Sequence, residues 1–167
     1  MLFVPLYVPS SMISLCLMLP MIALVSPPGT AERRYVMALA LRALKPGAAL
    51  TVLAVNEKGG TRLVKELTAF GCEVSAESKR HHRMCRTVRP ALNDAAIANA
   101  LQDGQLRFLD ALGQWTQPGV FSWEAHDLGT LALIAALPVL EGRGADLGCG
   151  LGLLAAAVLA NPDVTHL

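Results

Sequence analysis

The residues with the most chemistry in them stand at 146–152, where the chain reads Asp146-Leu147-Gly148-Cys149-Gly150-Leu151-Gly152. Glycines at every second position leave no Cβ where a ligand must come close to the backbone. Asp146 offers a carboxylate that accepts hydrogen bonds from an ammonium, a hydroxyl or a loop N–H. An Ala/Leu run follows at 153–159, so the loop is expected to lead from a strand into a helix whose first N–H groups point back at it. Such a loop sits at the carboxyl end of a strand, where open α/β sheets bind ligands. The spacing separates cofactors. It is not the dinucleotide pattern G-x-G-x-x-G, because the residue three after Gly150 is Leu153, and it has no P-loop lysine. Its chemistry is that of a loop laid against a nucleoside cofactor; a bare glycine turn between strand and helix is the alternative.

The elements that must position this loop follow from the pattern around it. Residues 145–147 end a strand, 153–159 form a helix, Asn161-Pro162-Asp163 turns, and 164–167 begin another strand. Upstream, Met21-Ile22-Ala23-Leu24-Val25 and residues 48–55 are short apolar runs bounded by turn signals, as buried parallel strands are. Between them 31–44 reads as a helix that Lys45-Pro46-Gly47 ends, with Thr30 as its N-cap and Arg33 where a capping-box acid would stand. A helix over 61–70 stops at Gly71, and 72–78 reads as a third strand. Strand, helix, strand, helix, strand with short loops predicts a doubly wound α/β layer. Residues 90–117 are expected to be a helical connector with Leu101, Leu106, Phe108, Leu109 and Leu112 as its apolar face. Helix 131–137 and loop 138–144 then lead to the glycine loop.

Composition bounds the rest. The 167 residues are 53% hydrophobic and 16% charged, so the chain can bury a core. A net charge of +1 implies neither nucleic acid nor membrane by itself. Cys16, Cys72, Cys85 and Cys149 form no Cys-x-x-Cys pair and read as reduced thiols of a cytoplasmic protein. No charge precedes Glu32, which makes residues 1–26 the basis of a membrane-anchor reading. Pro5, Pro9 and Pro20 interrupt that stretch, however, and its longest proline-free piece, Ser10 to Leu19, is too short to span a bilayer.

The dense basic cluster runs from Lys79 to Arg89, with five Lys/Arg and two His. Lys79, Arg80, Arg83 and Arg86 could contact RNA phosphates; the competing reading is a solvated edge strand whose charges block aggregation. His81 and His82 are adjacent, so in a strand they point to opposite faces, and no metal site is expected.

An acid directly before G-x-G-x-G resembles the first motif of class I S-adenosylmethionine-dependent methyltransferases. Several blocks extend the likeness. Gln117-Pro118-Gly119-Val120-Phe121-Ser122, then Asp127-Leu128-Gly129-Thr130-Leu131-Ala132-Leu133, then Gly144 to Leu154 resemble the bacterial 16S rRNA guanine-N2 methyltransferases of the small-subunit type, and the resemblance covers about residues 21–167. It implies an α/β fold class: a degenerate Rossmann-like methyltransferase domain (21–90), a connector (91–117) and the start of a second class I methyltransferase domain (118–167), with 1–20 unassigned. It implies S-adenosylmethionine as cofactor, the small-subunit ribosomal RNA as partner, and methyl transfer to a guanine exocyclic amine. Asp146, Gly148, Cys149, Gly150 and Gly152 would hold the cofactor, with Phe121, Ser122, Asp127 and Gly129 forming a flap beside it. His126 and Thr130 stand where the family prefers Leu and Ser; His126 is read as structural rather than as a base. The family's ribose-binding acid and its Asn-Pro-Pro-aromatic motif for the target amine are expected beyond Leu167, so catalytic residues are not assigned and the chain is read as the front of an enzyme, inactive alone. A non-catalytic RNA-binding module on a degenerate methyltransferase fold is the alternative.

Overall fold

The computed structural model describes residues 18–167, and the segment behind the membrane-anchor reading lies outside it as far as residue 17. No helix among the described residues is long and apolar enough to cross a membrane. The chain divides into two compact units between Asp103 and Gly104.

The first unit is built on a four-stranded sheet. Its elements are β1 (Leu19–Val25), α1 (Thr30–Ala43), β2 (Leu44–Val55), α2 (Leu63–Ala69), β3 (Ser75–Lys79), β4 (His82–Val88) and α3 (Asp94–Gly104). The strand order is β1-β2-β4-β3. β1 and β2 are parallel, as a helical crossover requires, and pair Ile22 with Leu50 and Leu24 with Val52. β4 runs antiparallel to both neighbours. Alternation along β2 buries Leu50, Val52 and Ala54 on one face, and these join Met37 and Leu41 of α1, Leu63 and Leu67 of α2, and Ile97 and Ala100 of α3 in one core. On the other face Met21 and Val25 stay exposed. The α/β class expected from the sequence is present, but the layer is not doubly wound: β4 runs antiparallel to β2 and β3, and the three helices share one core on one side of the sheet.

Several details differ from expectation. β1 begins at Leu19 and includes Pro20, tolerated because β1 is an edge strand and its register shifts there. Lys45–Gly47 is a bulge rather than a separate turn: Leu19 pairs with Leu44 and Met21 with Ala49, and Gly47 takes φ +76°. The basic cluster is not an edge strand. It forms the tip and the inner strand of the β3–β4 hairpin, and β3 is the edge.

α1 is capped by Gly29, not by the Thr30 side chain. The Thr30 hydroxyl instead accepts from Arg33 Nη2 and Arg62 Nη1. Arg33 is fully buried. Its Nε and Nη2 donate to the two oxygens of Glu66, each at 2.7 Å, and Nη1 donates to the Pro28 carbonyl at 2.7 Å. Each nitrogen of this guanidinium thus donates at least one hydrogen bond, which is what makes a buried charge tolerable. Gly59 lies against the same group at φ +94°, and a Cβ there would run into Nη1.

The second unit comprises β5 (Arg107–Leu109), β6 (Gln114–Thr116), α4 (Leu128–Ala136), β7 (Gly142–Arg143), α5 (Leu153–Leu159) and β8 (Val164–His166). The connector expected over 90–117 is helical only in α3, whose end at Gly104 is followed by the β5–β6 hairpin. Asn93 starts that helix by accepting from Ala96 N–H. Phe108 and Trp115 face each other across the hairpin with ring centroids 5.9 Å apart. β7 lies parallel to β8, with α5 between them in sequence, and Gly144 N–H donates to the His166 carbonyl. The strand before the glycine loop therefore sits at 142–143, slightly earlier than the expected 145–147, and Asp146 follows it outside regular secondary structure.

Candidate functional site

Within the second unit the glycine loop walls a cavity of about 300 Å³. The loop owes its shape to three left-handed glycines, with φ +86° at Gly148, +56° at Gly150 and +78° at Gly152. No heavy atom outside the immediate neighbours lies within 4 Å of a Cβ built on any of them. Backbone conformation, not crowding by the protein, is what calls for glycine here, and the space a side chain would fill stays open.

The opposite wall comes from the chain before α4. Gln114 on β6, then Phe121, Ser122, His126 and Asp127, line the cavity with Asp146, Gly148, Cys149 and Gly150. This wall is tied to the hairpin: Thr116 Oγ1 donates to the Trp123 carbonyl at 2.9 Å, and the Arg107 guanidinium lies 5.3 Å from the Trp123 ring centroid. Ser122 holds φ +57°, a left-handed conformation that costs a non-glycine residue about 1 kcal/mol or more and is concentrated at functional sites.

Three polar atoms on these walls are buried without a protein partner: Asp146 Oδ2, His126 Nδ1 and Gln114 Nε2. A carboxylate oxygen, a ring nitrogen and an amide donor around one cavity suit a ligand that carries both hydrogen-bond donors and acceptors. Gln114 belongs to no motif, and the apolar spacing around it fits a helix; the structure instead puts it on β6 of the hairpin.

The other sequence-derived residues fall as follows. Asp127 lines the cavity, but its Oδ2 also caps α4, accepting from Thr130 N–H at 2.7 Å and from Thr130 Oγ1 at 3.0 Å. Gly129 and Gly152 are outside the lining, at the starts of α4 and α5. A Cβ on Gly129 would stand 3.0 Å from Asp127 Oδ2, so this glycine serves the cap. In the first unit, Lys79 and Arg80 are exposed at the hairpin tip, whereas Arg83 donates to Ser78 Oγ at 3.0 Å and Arg86 pairs with Glu77 at 3.0 Å. Among the described residues no group of three His, Cys, Asp or Glu is placed to hold a metal.

The cysteines separate by environment. Cys149 is exposed in the loop, while Cys72 and Cys85 are buried. Burial pushes both buried thiols up, against smaller lowering effects of the Thr87 hydrogen bond at Cys72 and of Arg83 at Cys85. Their thiolates are therefore scarce at neutral pH, and become available only further above the ordinary thiol range than usual. Mapping of alkylated peptides after brief treatment at pH 7 should find Cys149 modified and Cys72 and Cys85 intact. Equal labelling of all three would show that the first unit is not packed as described.

Comparison with known proteins completes the site. Residues 111–167 match the family model "Methyltransferase small domain". The chain is 38% identical over 146 residues to the ribosomal RNA small subunit methyltransferase C of Shewanella halifaxensis (strain HAW-EB4), covering 83% of this chain and 42% of that one. It is 31% identical over 137 residues to the protein of the same name from Vibrio vulnificus (strain CMCP6), covering 78% and 39%. The chain thus spans about two fifths of the length of these curated relatives. Among solved structures, it is similar to the T. thermophilus 16S rRNA N2 G1207 methyltransferase in complex with AdoMet and guanosine, with a TM-score of 0.56 and 23% identity over 71% of this chain and 33% of that one. That last likeness speaks for the fold.

Proposed function

Because this chain belongs to the ribosomal RNA small subunit methyltransferase C family, we propose that it serves S-adenosylmethionine-dependent methylation of a guanine N2 amine in small-subunit ribosomal RNA, with the 146–152 loop as part of the cofactor site. Such a substrate places the protein in the cytoplasm. The observation that carries the reading is the cavity that two left-handed glycines, Gly148 and Gly150, line together with Asp146, His126 and Gln114, each of these three with an unpartnered buried polar atom.

The donor set suits the cofactor. Asp146 would take the positively charged amino group or a hydroxyl, and Gln114 Nε2 would donate to an acceptor such as its carboxylate. Gly148 and Gly150 let the backbone lie against the nucleoside. Phe121, exposed at the cavity rim, would cover it and exclude water. When bound, S-adenosylmethionine supplies an electrophilic methyl group; the residues here hold and orient it. Lys79 and Arg80 at the hairpin tip would meet RNA phosphates, with Arg83 and Arg86 further along β4 in support.

Ultraviolet crosslinking with methyl-labelled S-adenosylmethionine tests this reading. The chain should be labelled in the second unit, and Gly150→Ala should reduce labelling about tenfold or more. An alanine at φ +56° costs about 1–2 kcal/mol and puts a methyl group into the cavity. RNA binding without any crosslink would instead indicate a non-catalytic RNA-binding module.

A further inference from the structure

The first unit has its own open cleft of about 480 Å³. Asn56, Lys58, Gly59 and Arg62 line it, just past the carboxyl end of β2, where α/β sheets tend to bind ligands. The β3–β4 hairpin tip is fastened to it: Asn56 N–H donates to the His81 carbonyl at 2.8 Å. Cleft and tip are therefore one continuous surface. Lys58, Arg62, Lys79 and Arg80 are exposed on it, with Glu57 as the carboxylate in the cleft lining. Nearby acids are already spent. Glu66 is held by Arg33, and Glu77 by Arg86. A positive surplus is left at this end of the sheet.

The tip is also strained. Arg80 and His81 take φ +48° and +65°, the pattern of a two-residue hairpin turn that Asn-Gly would fill at less cost. The chain carries a cation and an imidazole there instead, and His82 is exposed beside them, its Nδ1 2.7 Å from the Arg80 carbonyl. Guanidinium and ammonium groups track phosphates, and aromatic rings beside them give unpaired bases a surface to stack on.

We infer that the Asn56–Arg62 cleft and the Lys79–His82 tip form a single groove that grips the backbone of single-stranded RNA. Lys58, Arg62, Lys79 and Arg80 contact phosphates, and His81 and His82 stack on bases. The inference rests on the reading that this chain acts on RNA, and adds to it a surface apart from the cofactor cavity. It places Lys58 and Arg62 in the interface.

The test is fluorescence anisotropy of a short labelled single-stranded RNA titrated with the 167-residue chain over a range of salt. The Lys58→Ala/Arg80→Ala variant should weaken binding and lower the slope of log affinity against log salt by about 1.4, from two lost phosphate contacts at about 0.7 each. Lys45→Ala removes a charge at the opposite end of β2 and should change neither quantity. Arg80→Asn/His81→Gly should raise Tm by about 4–8 °C for each kcal/mol of relieved strain and still weaken binding, which rules out unfolding as the cause. An equal loss with Lys45→Ala, or none with Lys58→Ala/Arg80→Ala, overturns the groove while leaving RNA binding in place. Guanosine monophosphate competing as well as the oligonucleotide overturns it in favour of a mononucleotide site. No binding by the unsubstituted chain even at low salt overturns both the groove and the RNA reading.

Discussion

Glu66→Ala is expected to destabilise the first unit by about 3–5 kcal/mol, enough to unfold a domain of ordinary stability. The Arg33 guanidinium is fully buried, and two of its hydrogen bonds end on Glu66. Truncating the carboxylate leaves a buried charge with only the Pro28 carbonyl and the Thr30 hydroxyl as partners. The pair joins α1 to α2 across the core, so its loss would also loosen Gly59, which packs on the guanidinium. Chemical denaturation followed by circular dichroism measures the change. The double replacement Arg33→Met/Glu66→Leu removes both charges and should recover most of the loss, because apolar groups of similar volume often replace a buried pair at little cost. Equal destabilisation by the single and double variants would mean that shape, not charge pairing, governs the position.

The second large effect is on ligand binding. Asp146→Ala should weaken S-adenosylmethionine binding about 10- to 100-fold, the range lost with a charge-assisted hydrogen bond of about 1.5–3 kcal/mol. Stability should change little, because Asp146 Oδ2 has no protein partner to lose. Fold and affinity are thereby separated: a buried carboxylate that serves only the fold would show the reverse. Gln114→Leu should show the same separation with a smaller loss, since a neutral donor is worth less than a charged acceptor.

The glycine loop could be read from sequence because its requirement is local. Positive φ at alternate positions demands glycine, and Gly148, Gly150 and Gly152 all adopt it. The helix after the loop follows its Ala/Leu pattern over 153–159 for the same reason. What could not be read depends on residues distant in sequence. Arg33 stood out only as a wrong residue in a capping box; its partner is 33 residues away, and no periodicity joins them. Gln114 was hidden because Leu106, Phe108, Leu109 and Leu112 fit a helical face as well as a hairpin with a turn between. Gly113, at φ +64°, was the available signal for the turn. The start of α4 was also within reach, since an aspartate three residues before a threonine is a capping pattern, which Asp127 and Thr130 complete. The hairpin at 75–88 defeated the reading of an exposed basic strand because Arg80 and His81 are unusual turn residues, and only the surrounding sheet imposes the reversal.

The most direct measurement is a heteronuclear NMR titration of the 167-residue chain with S-adenosylmethionine, following the glycine amides. The account predicts saturable shifts of Gly148 and Gly150, with the first unit unmoved and the midpoint of the titration raised about 10- to 100-fold in Asp146→Ala. No shift at millimolar cofactor, or the same titration midpoint with and without the Asp146 carboxylate, would contradict it.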